Sequence, residues 1–430
     1  MTAPTPVTTA AFAAAMPAPA PNLPTPAAAP AGQPEFSPPP PSRTPQLLRR
    51  LQVIAALVLL VLGGVGTLLI TQLRADLDSA PLVAAQSARL GEVQTRLLGA
   101  ATLAAEGALT VPGVTANQAA EAGTRVGEAA GLLVEAATAR PQDAKALAAL
   151  SVEVNAYGAA LRAADGRDTA TAQSLLGKAS RVLDEHILPD LDAMQKALAD
   201  EASASSTGLM FIMPVLGLAG AAFLIWVGWV LAQRSRRVLN LGLIGALVGV
   251  LVISWVTLAA QQGTAVAVGQ SRGTQFTRVT GLNTASSQVD TARRLQAEAL
   301  LARSWSDARA KSVTTAIDAA EKAADTAAAK SDLSDYRKEA AALAALMAKA
   351  EWTDAGKRAL TGGNSGVIVT SAAFQQTISA ERSQATTAAA DAAEEVRSGL
   401  PWQLAAVILA ALVGAGLAVA GVAQRLVEYR

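Results

Sequence analysis

Four uncharged apolar stretches, Leu51–Leu73, Leu209–Gln233, Val238–Ala260 and Trp402–Ala423, constrain this chain more than any motif it contains. Each exceeds the roughly 20 residues that a helix needs to cross a hydrocarbon core about 30 Å thick. They divide the chain into two copies of one plan: span, long polar-helical segment, span. The polar segments are residues 74–208 and 261–400, and only Arg234, Ser235, Arg236 and Arg237 separate the two copies. Such a chain keeps two folded units on one side of a bilayer and very little on the other.

Charge placement chooses the side. Arg43, Arg49 and Arg50 precede the first span, Arg234, Arg236 and Arg237 join the second to the third, and Arg425 and Arg430 follow the fourth. Cationic residues in short flanking segments are held on the cytoplasmic face during insertion. All three clusters agree, which predicts cytoplasmic termini, a cytoplasmic 234–237 loop and two extracytoplasmic segments in a multi-pass plasma-membrane protein. Nothing in the first 45 residues is an apolar signal core, so the first span is expected to serve as an uncleaved anchor. Cysteine is absent, which excludes disulfides and thiolate metal sites.

Residues 1–45 hold 14 of the 20 prolines, mixed with alanine and threonine. They read as a disordered, partly polyproline II cytoplasmic tail, since so little apolar surface cannot offset the entropy of ordering. Pro38–Pro41 fits a proline-recognition groove or a plain tether.

Both polar segments read as helix. In the first, Pro112-Gly113, Pro141 and Asp165-Gly166 are breakers and predict helices near 74–110, 116–139, 142–164 and 168–208. Leu183, Ile187, Leu191, Met194 and Leu198 form the stripe of a bundle helix, with a kink expected at Pro189. In the second, Phe276, Val279, Leu282, Val289, Leu295 and Leu300 lead a helix up to Trp305. Further helices are expected near 311–330, 333–351 and 367–400, with a loop at Thr361–Gly366. The fold class is therefore an all-α membrane protein: four transmembrane helices and two extracytoplasmic four-helix bundles in tandem. The outer helices of the first bundle should continue into the spans and reach roughly 55 Å beyond the membrane at about 1.5 Å per residue.

Material for catalysis is scarce. His186, the single histidine, lies among Asp184, Glu185 and Asp190, a setting that suits a metal or amine ligand but is far commoner as a plain acidic surface. No nucleotide-binding, zinc or hydrolase motif occurs. No enzymatic activity and no cofactor or metal is expected, and nothing points to nucleic acid. The span interiors carry no ionisable residue, which argues against a transport conduit.

The spans hold Gly63, Gly64, Gly245 and Gly249 instead, and Gly245-Ala-Leu-Val-Gly249 is a small-xxx-small face suited to close helix packing or a homodimer. Trp226, Trp229, Trp255 and Trp402 read as interfacial anchors against membrane lipids. Arg293 and Arg294 are candidates for clamping an anionic ligand, or are ordinary partners of Asp290 and Glu298 on a wet helix surface. Arg234, Arg236 and Arg237 are candidates for contacting an acidic cytoplasmic partner.

The duplicated plan, the junction Arg234-Ser-Arg-Arg-Val-Leu-Asn240 and the ending Gln424-Arg-Leu-Val-Glu-Tyr-Arg430 together resemble one family. It is the actinobacterial four-span membrane protein that works with a glutamine-binding-type lipoprotein and the soluble Ser/Thr protein kinase G. In architecture the resemblance covers everything after the tail; in residues only those two short segments carry it. It implies a receptor-adaptor in an amino-acid sensing pathway that governs nitrogen metabolism. Its extracytoplasmic partner would be an amino-acid-binding lipoprotein and its cytosolic partner a Ser/Thr protein kinase. The family supplies no binding residues that transfer to this chain. Two other classes stay open: a direct small-molecule sensor acting through its own bundles, and an envelope scaffold or accessory transporter subunit.

Overall fold

The computed structural model describes residues 44–109, 118–203, 212–235, 241–360 and 366–428. The proline-rich tail up to residue 43, the Pro112-Gly113 break, Arg236, Arg237, Thr361–Ser365 and Arg430 lie outside the described residues. The described residues are helical nearly throughout and contain no strand.

Two very long helices frame the molecule. Helix α1 spans Thr44–Gly107 and helix α12 spans Val367–Glu428, 64 and 62 residues respectively. At about 1.5 Å per residue each is more than 90 Å long, far beyond the thickness of a bilayer. The apolar stretch and the following polar stretch therefore form one continuous helix in α1, with Pro81 inside it, and the polar stretch continues into the apolar one in α12, with Pro401 inside it. Alanine and leucine, which lose little or no freedom in a helix, populate both helices densely.

Between them run α2 (Gln118–Ala139), α3 (Ala144–Ala164), α4 (Thr169–Val182), α5 (Leu188–Ser203), α6 (Ile212–Ser235), α7 (Leu241–Val268), α8 (Phe276–Ala302), α9 (Asp307–Ala323), α10 (Ala327–Ala348) and α11 (Trp352–Leu360). Helices α1, α6, α7 and α12 are long and apolar enough to cross a membrane, as the sequence predicts. Helix α11 has no counterpart in the sequence reading.

The boundaries follow local chemistry. Asp168 accepts a hydrogen bond from the Thr171 amide, Ser306 from Arg309 and Thr326 from Ala329, so each caps the helix it precedes. The cap at Ser306 starts α9 four residues before the predicted 311, and Thr326 starts α10 six before the predicted 333. Helix α8 ends where Arg303 turns left-handed at φ 45°, with the Ser304 amide reaching back to the Ala299 carbonyl at 3.0 Å.

Two wide π turns interrupt otherwise continuous helices. One, Leu183–Ile187, stands between α4 and α5 directly before Pro189. Proline has no amide hydrogen to donate, and the Leu188 amide bonds back to Leu183, so the irregularity expected at Pro189 is taken up one turn earlier. The other, Gly269–Gln275, joins α7 to α8.

Three large cores and one small cluster, Leu51, Val227 and Leu243, hold the described residues together. In the first, Leu90, Val93 and Leu97 of α1 meet Leu133 of α2, Tyr157 of α3, and Leu183, Ile187 and Leu191. In the second, Leu282 and Val289 of α8 meet Ile317, Tyr336, Met347 and Phe374. The third lies in the membrane-length region, where Leu59 and Ile70 of α1, Val250 and Ile253 of α7 and Val407 of α12 pack together. Helix α8 also gives Phe276 and Leu301 to the first core. It is thus an internal helix, packed on both sides.

Candidate functional site: a polar cleft between the two halves

Along α8 the polar residues Asn283, Ser286, Ser287, Asp290, Arg293, Arg294 and Gln296 are all buried. Most recur at three- or four-residue spacing and so share one face. The apolar stripe of Leu282, Val289 and Leu300 lies in the second core. The polar stripe turns to α1 and its surroundings, and so meets the first half of the chain.

Besides Phe276 and Leu301 in the first core, the halves meet through hydrogen bonds and ion pairs. Asn283 Nδ2 donates to the Ser87 carbonyl at 2.7 Å. Thr95 Oγ1 and Ser286 Oγ lie 2.8 Å apart, and within the second half Gln375 Nε2 of α12 donates to the Ser286 carbonyl at 3.2 Å. Arg293 holds the Glu106 carboxylate through Nε at 3.2 Å and Nη2 at 2.9 and 3.0 Å. Arg294 Nη1 reaches Asp184 Oδ1, in the first π turn, at 2.8 Å. Arg272, in the second π turn, reaches Ser79 Oγ at 2.8 Å. Both π turns therefore present side chains across the divide.

Arg293 and Arg294 do not stand on a wet surface: each is 7 % exposed. The carboxylates that hold them most closely belong to the first half of the chain, a pairing invisible to helical spacing. Glu298 does approach Arg294, at 3.8 Å and one turn away, as the sequence suggests. Burial pushes the Glu106 carboxyl up while Arg293 pulls it back. The net direction is upward, while the guanidinium, which stays protonated, grips both carboxylate oxygens.

Beside the Arg293–Glu106 pair lies a cleft of ≈ 590 Å³. Helix α1 contributes Glu92, Thr95 and Arg96, α2 contributes Glu121 and Arg125, α8 contributes Asp290 and Arg293, and α12 contributes Ser371, Gln375 and Arg382. Most of its charges are matched. Arg96 lies 2.9 Å from Glu92 and 2.8 Å from Glu128, and Arg125 lies 3.0 Å from Glu121. Two are not. Asp290, 5 % exposed, has no hydrogen-bond partner for Oδ2. Arg382, 6 % exposed, has none for Nε, and its nearest carboxylate is Glu92 at 3.8 Å, already engaged by Arg96.

Burial raises the Asp290 pKa to about 7, against the pull of Arg293, Arg125, Gln375 and Arg382. Burial likewise lowers that of Arg382, against the pull of Glu92 and Asp290. An unpaired buried charge costs several kcal/mol by transfer arguments, so it persists where function or a partner sustains it.

The remaining sequence candidates fall elsewhere. His186 is exposed on the first π turn, and among the described residues no group of three His, Cys, Asp or Glu is arranged to hold a metal. Gly63 is buried where any added Cβ would overlap Ala411 of α12. Gly64, its neighbour, faces open space. Gly245 meets the Leu417 side chain, and a Cβ on Gly249 would stand 3.2 Å from the Ala410 carbonyl oxygen of α12. The small-xxx-small face therefore packs within the chain. Trp226, Trp229, Trp255 and Trp402 are each more than half exposed on the apolar helices, as lipid-facing anchors would be. Arg234 lies in the last turn of α6, whereas Arg236 and Arg237 fall outside the described residues.

The sequence reading missed Glu106, Glu92, Gln375 and Arg382. The available signal was the polar stripe on α8 opposite an apolar one, which by itself reads as a solvated face. Comparisons with protein-family models, with curated proteins and with solved structures found no match for this chain.

Proposed function

We propose that this chain is a transmembrane receptor-adaptor. In this reading its two polar cores are two extracytoplasmic helical bundles in tandem, and the termini and the 234–237 loop are cytoplasmic. The bundles read amino-acid availability through an extracytoplasmic solute-binding lipoprotein, and a cytosolic Ser/Thr protein kinase receives the result. The partners come from the family resemblance, and the orientation from the arginine clusters beside the spans.

One observation carries the receptor part. Helices α1 and α12 each contribute to both the polar cleft and the membrane-length core without a break. A displacement at Glu92 or Arg382 is passed along one helix to Leu59 or Val407, through Pro81 in α1 and Pro401 in α12, the points where each helix lacks a backbone hydrogen bond and can bend. A signal then requires two packings of the bundles that bind the partner with different affinity. The ion pairs between the halves suit this, since charged contacts can be exchanged without rebuilding an apolar core.

The cleft favours a second reading, in which the chain itself binds the small molecule. The two readings differ in their requirement for a partner. Full-length protein in nanodiscs, incubated with extracytoplasmic and cytosolic extracts with and without candidate amino acids, distinguishes them. The receptor-adaptor reading expects a solute-binding lipoprotein to be recovered in a ligand-dependent manner, together with a Ser/Thr kinase. Recovery of neither under any condition sinks it. Loss of solute uptake on deletion, with kinase output intact, points instead to an accessory transport role.

A further inference from the structure

The cleft retains one carboxylate oxygen and one guanidinium nitrogen without hydrogen-bond partners, Asp290 Oδ2 on α8 and Arg382 Nε on α12, although Gln375 meets the Asp290 carboxyl and Glu92 stands 3.8 Å from Arg382. They belong to different elements and line the same space, which α1 and α2 close from the other side. A volume of ≈ 590 Å³ lies within the range of about 300–1,000 Å³ typical of small-molecule sites. A ligand that is only a cation would satisfy Asp290 and leave Arg382 desolvated; one that is only an anion would do the reverse. Either leaves a buried charge uncompensated, which is the costlier arrangement.

We infer that this cleft is a binding site, on the chain itself, for a small zwitterion, whose ammonium pairs with Asp290 and whose carboxylate is bound by Arg382. Free α-amino acids are the simplest members of that class. The nearby cations do not compete for the ammonium subsite: Arg293 is held by Glu106, Arg125 by Glu121 and Arg96 by Glu92 and Glu128. Arg382 offers Nε and an otherwise loosely held fork, the geometry that suits a carboxylate. Gln375 and Ser371, beside them on α12, supply neutral polar lining. This inference is independent of whether a lipoprotein or kinase partner exists, because it concerns binding by the purified chain.

The ammonium subsite needs Asp290 ionised. The groups around Asp290 are Arg293 on its own helix, Arg125 on α2, Tyr336 on α10, and Arg382 and Gln375 on α12, with Glu106 and Glu92 of α1 behind Arg293 and Arg382. Its pKa of about 7 makes binding proton-linked near neutrality. Affinity should be full at pH 8 and fall by about tenfold per pH unit once the pH is well below 7.

The test uses full-length protein in nanodiscs and isothermal titration at pH 8 and pH 6. The probes are the common L-amino acids at millimolar concentration, with ethylamine and propionate as single-charge controls. At least one amino acid is expected to bind more tightly than either control and to release protons near pH 7, read from the buffer dependence of the heat. Asp290→Asn and Arg382→Gln are each expected to weaken it at least tenfold, and Asp290→Asn to abolish the proton release. Asp290→Asn removes a buried charge and keeps the shape, so its fold is expected to hold, as apo thermal unfolding will show. The inference is overturned if no amino acid binds, if ethylamine binds as tightly as the best amino acid, or if the folded Asp290→Asn protein binds like wild type.

Discussion

Helices α1 and α12 pass through two regions held together by opposite means. In the membrane-length region they meet each other and α7 through glycine and alanine: Gly249 lies against Ala410 and Gly414, Gly63 against Ala411, and Val250, Ile253 and Val407 fill the spaces. Beyond it, α1 meets α8 and α12 through Asn283–Ser87, Arg293–Glu106 and the cleft charges. Lipid is as apolar as leucine, so close packing is what can hold the first region. The second can be held by charge because water and low-dielectric protein both border it. An apolar contact adjusts by sliding, whereas an ion pair exchanges partners. In the proposed receptor reading the polar region is the one that responds to a ligand or a proton, and the membrane-length region transmits.

The comparison is broken most directly at Glu106. In Glu106→Ala the Arg293 guanidinium is left buried without its bidentate partner, which should cost about 3–5 kcal/mol of stability. The double variant Glu106→Leu with Arg293→Met should recover most of that loss, because an apolar pair of similar volume avoids desolvation. Chemical unfolding of both variants in detergent measures it. A Glu106→Ala protein as stable as wild type would mean that the polar region is not held by this pair.

A second test bears on the unmatched charge. The folded pKa of Asp290 is about 7 against an ordinary 3.8, so between those values the folded protein keeps a proton that the unfolded chain has released. Stability then falls as pH rises through that window and levels off above 7. Asp290→Asn removes the titration: it should match wild type near pH 4 and exceed it at pH 8, by at most about 4 kcal/mol. Parallel unfolding curves for the two proteins at both pH values would show the carboxyl to be solvated.

The comparison also shows why the lower region was legible in the sequence and the upper one was not. Twenty consecutive apolar residues have one low-energy placement, and the chain states this locally. Breakers such as Pro141 and Asp165-Gly166 located helix ends well, since each acts on its own turn. The helix boundaries near 307 and 327 moved because the capping hydroxyls of Ser306 and Thr326 outweigh the apolar periodicity. The cleft had no such local sign. Glu106 and Arg293 stand 187 positions apart, and whether a polar helix face meets water or another polar face depends on what packs there.

In the lower region the expected effects are smaller. Gly249→Val places branched carbon against the Ala410 carbonyl, which α12 can relieve only by moving, so about 1–3 kcal/mol should be lost. A neutral result would show that α7 and α12 are not pressed together there.

The finest distinction is between two adjacent glycines that the sequence offers as equals. Gly63 has no room for a methyl group, because Ala411 occupies that space, and Gly64 has nothing within 4 Å. Gly63→Ala should therefore lose about 1–2 kcal/mol by overpacking, within the usual range for an added methylene. Gly64→Ala should stay within about 0.5 kcal/mol of wild type, with any change in the stabilising direction that helix propensity favours. Thermal unfolding of the two variants side by side reads the difference without reference to any ligand. Equal effects would mean that α1 is rotated about its axis relative to α12. The same rotation would carry Glu92 away from Arg382, so this smallest effect in the membrane also checks the geometry of the cleft.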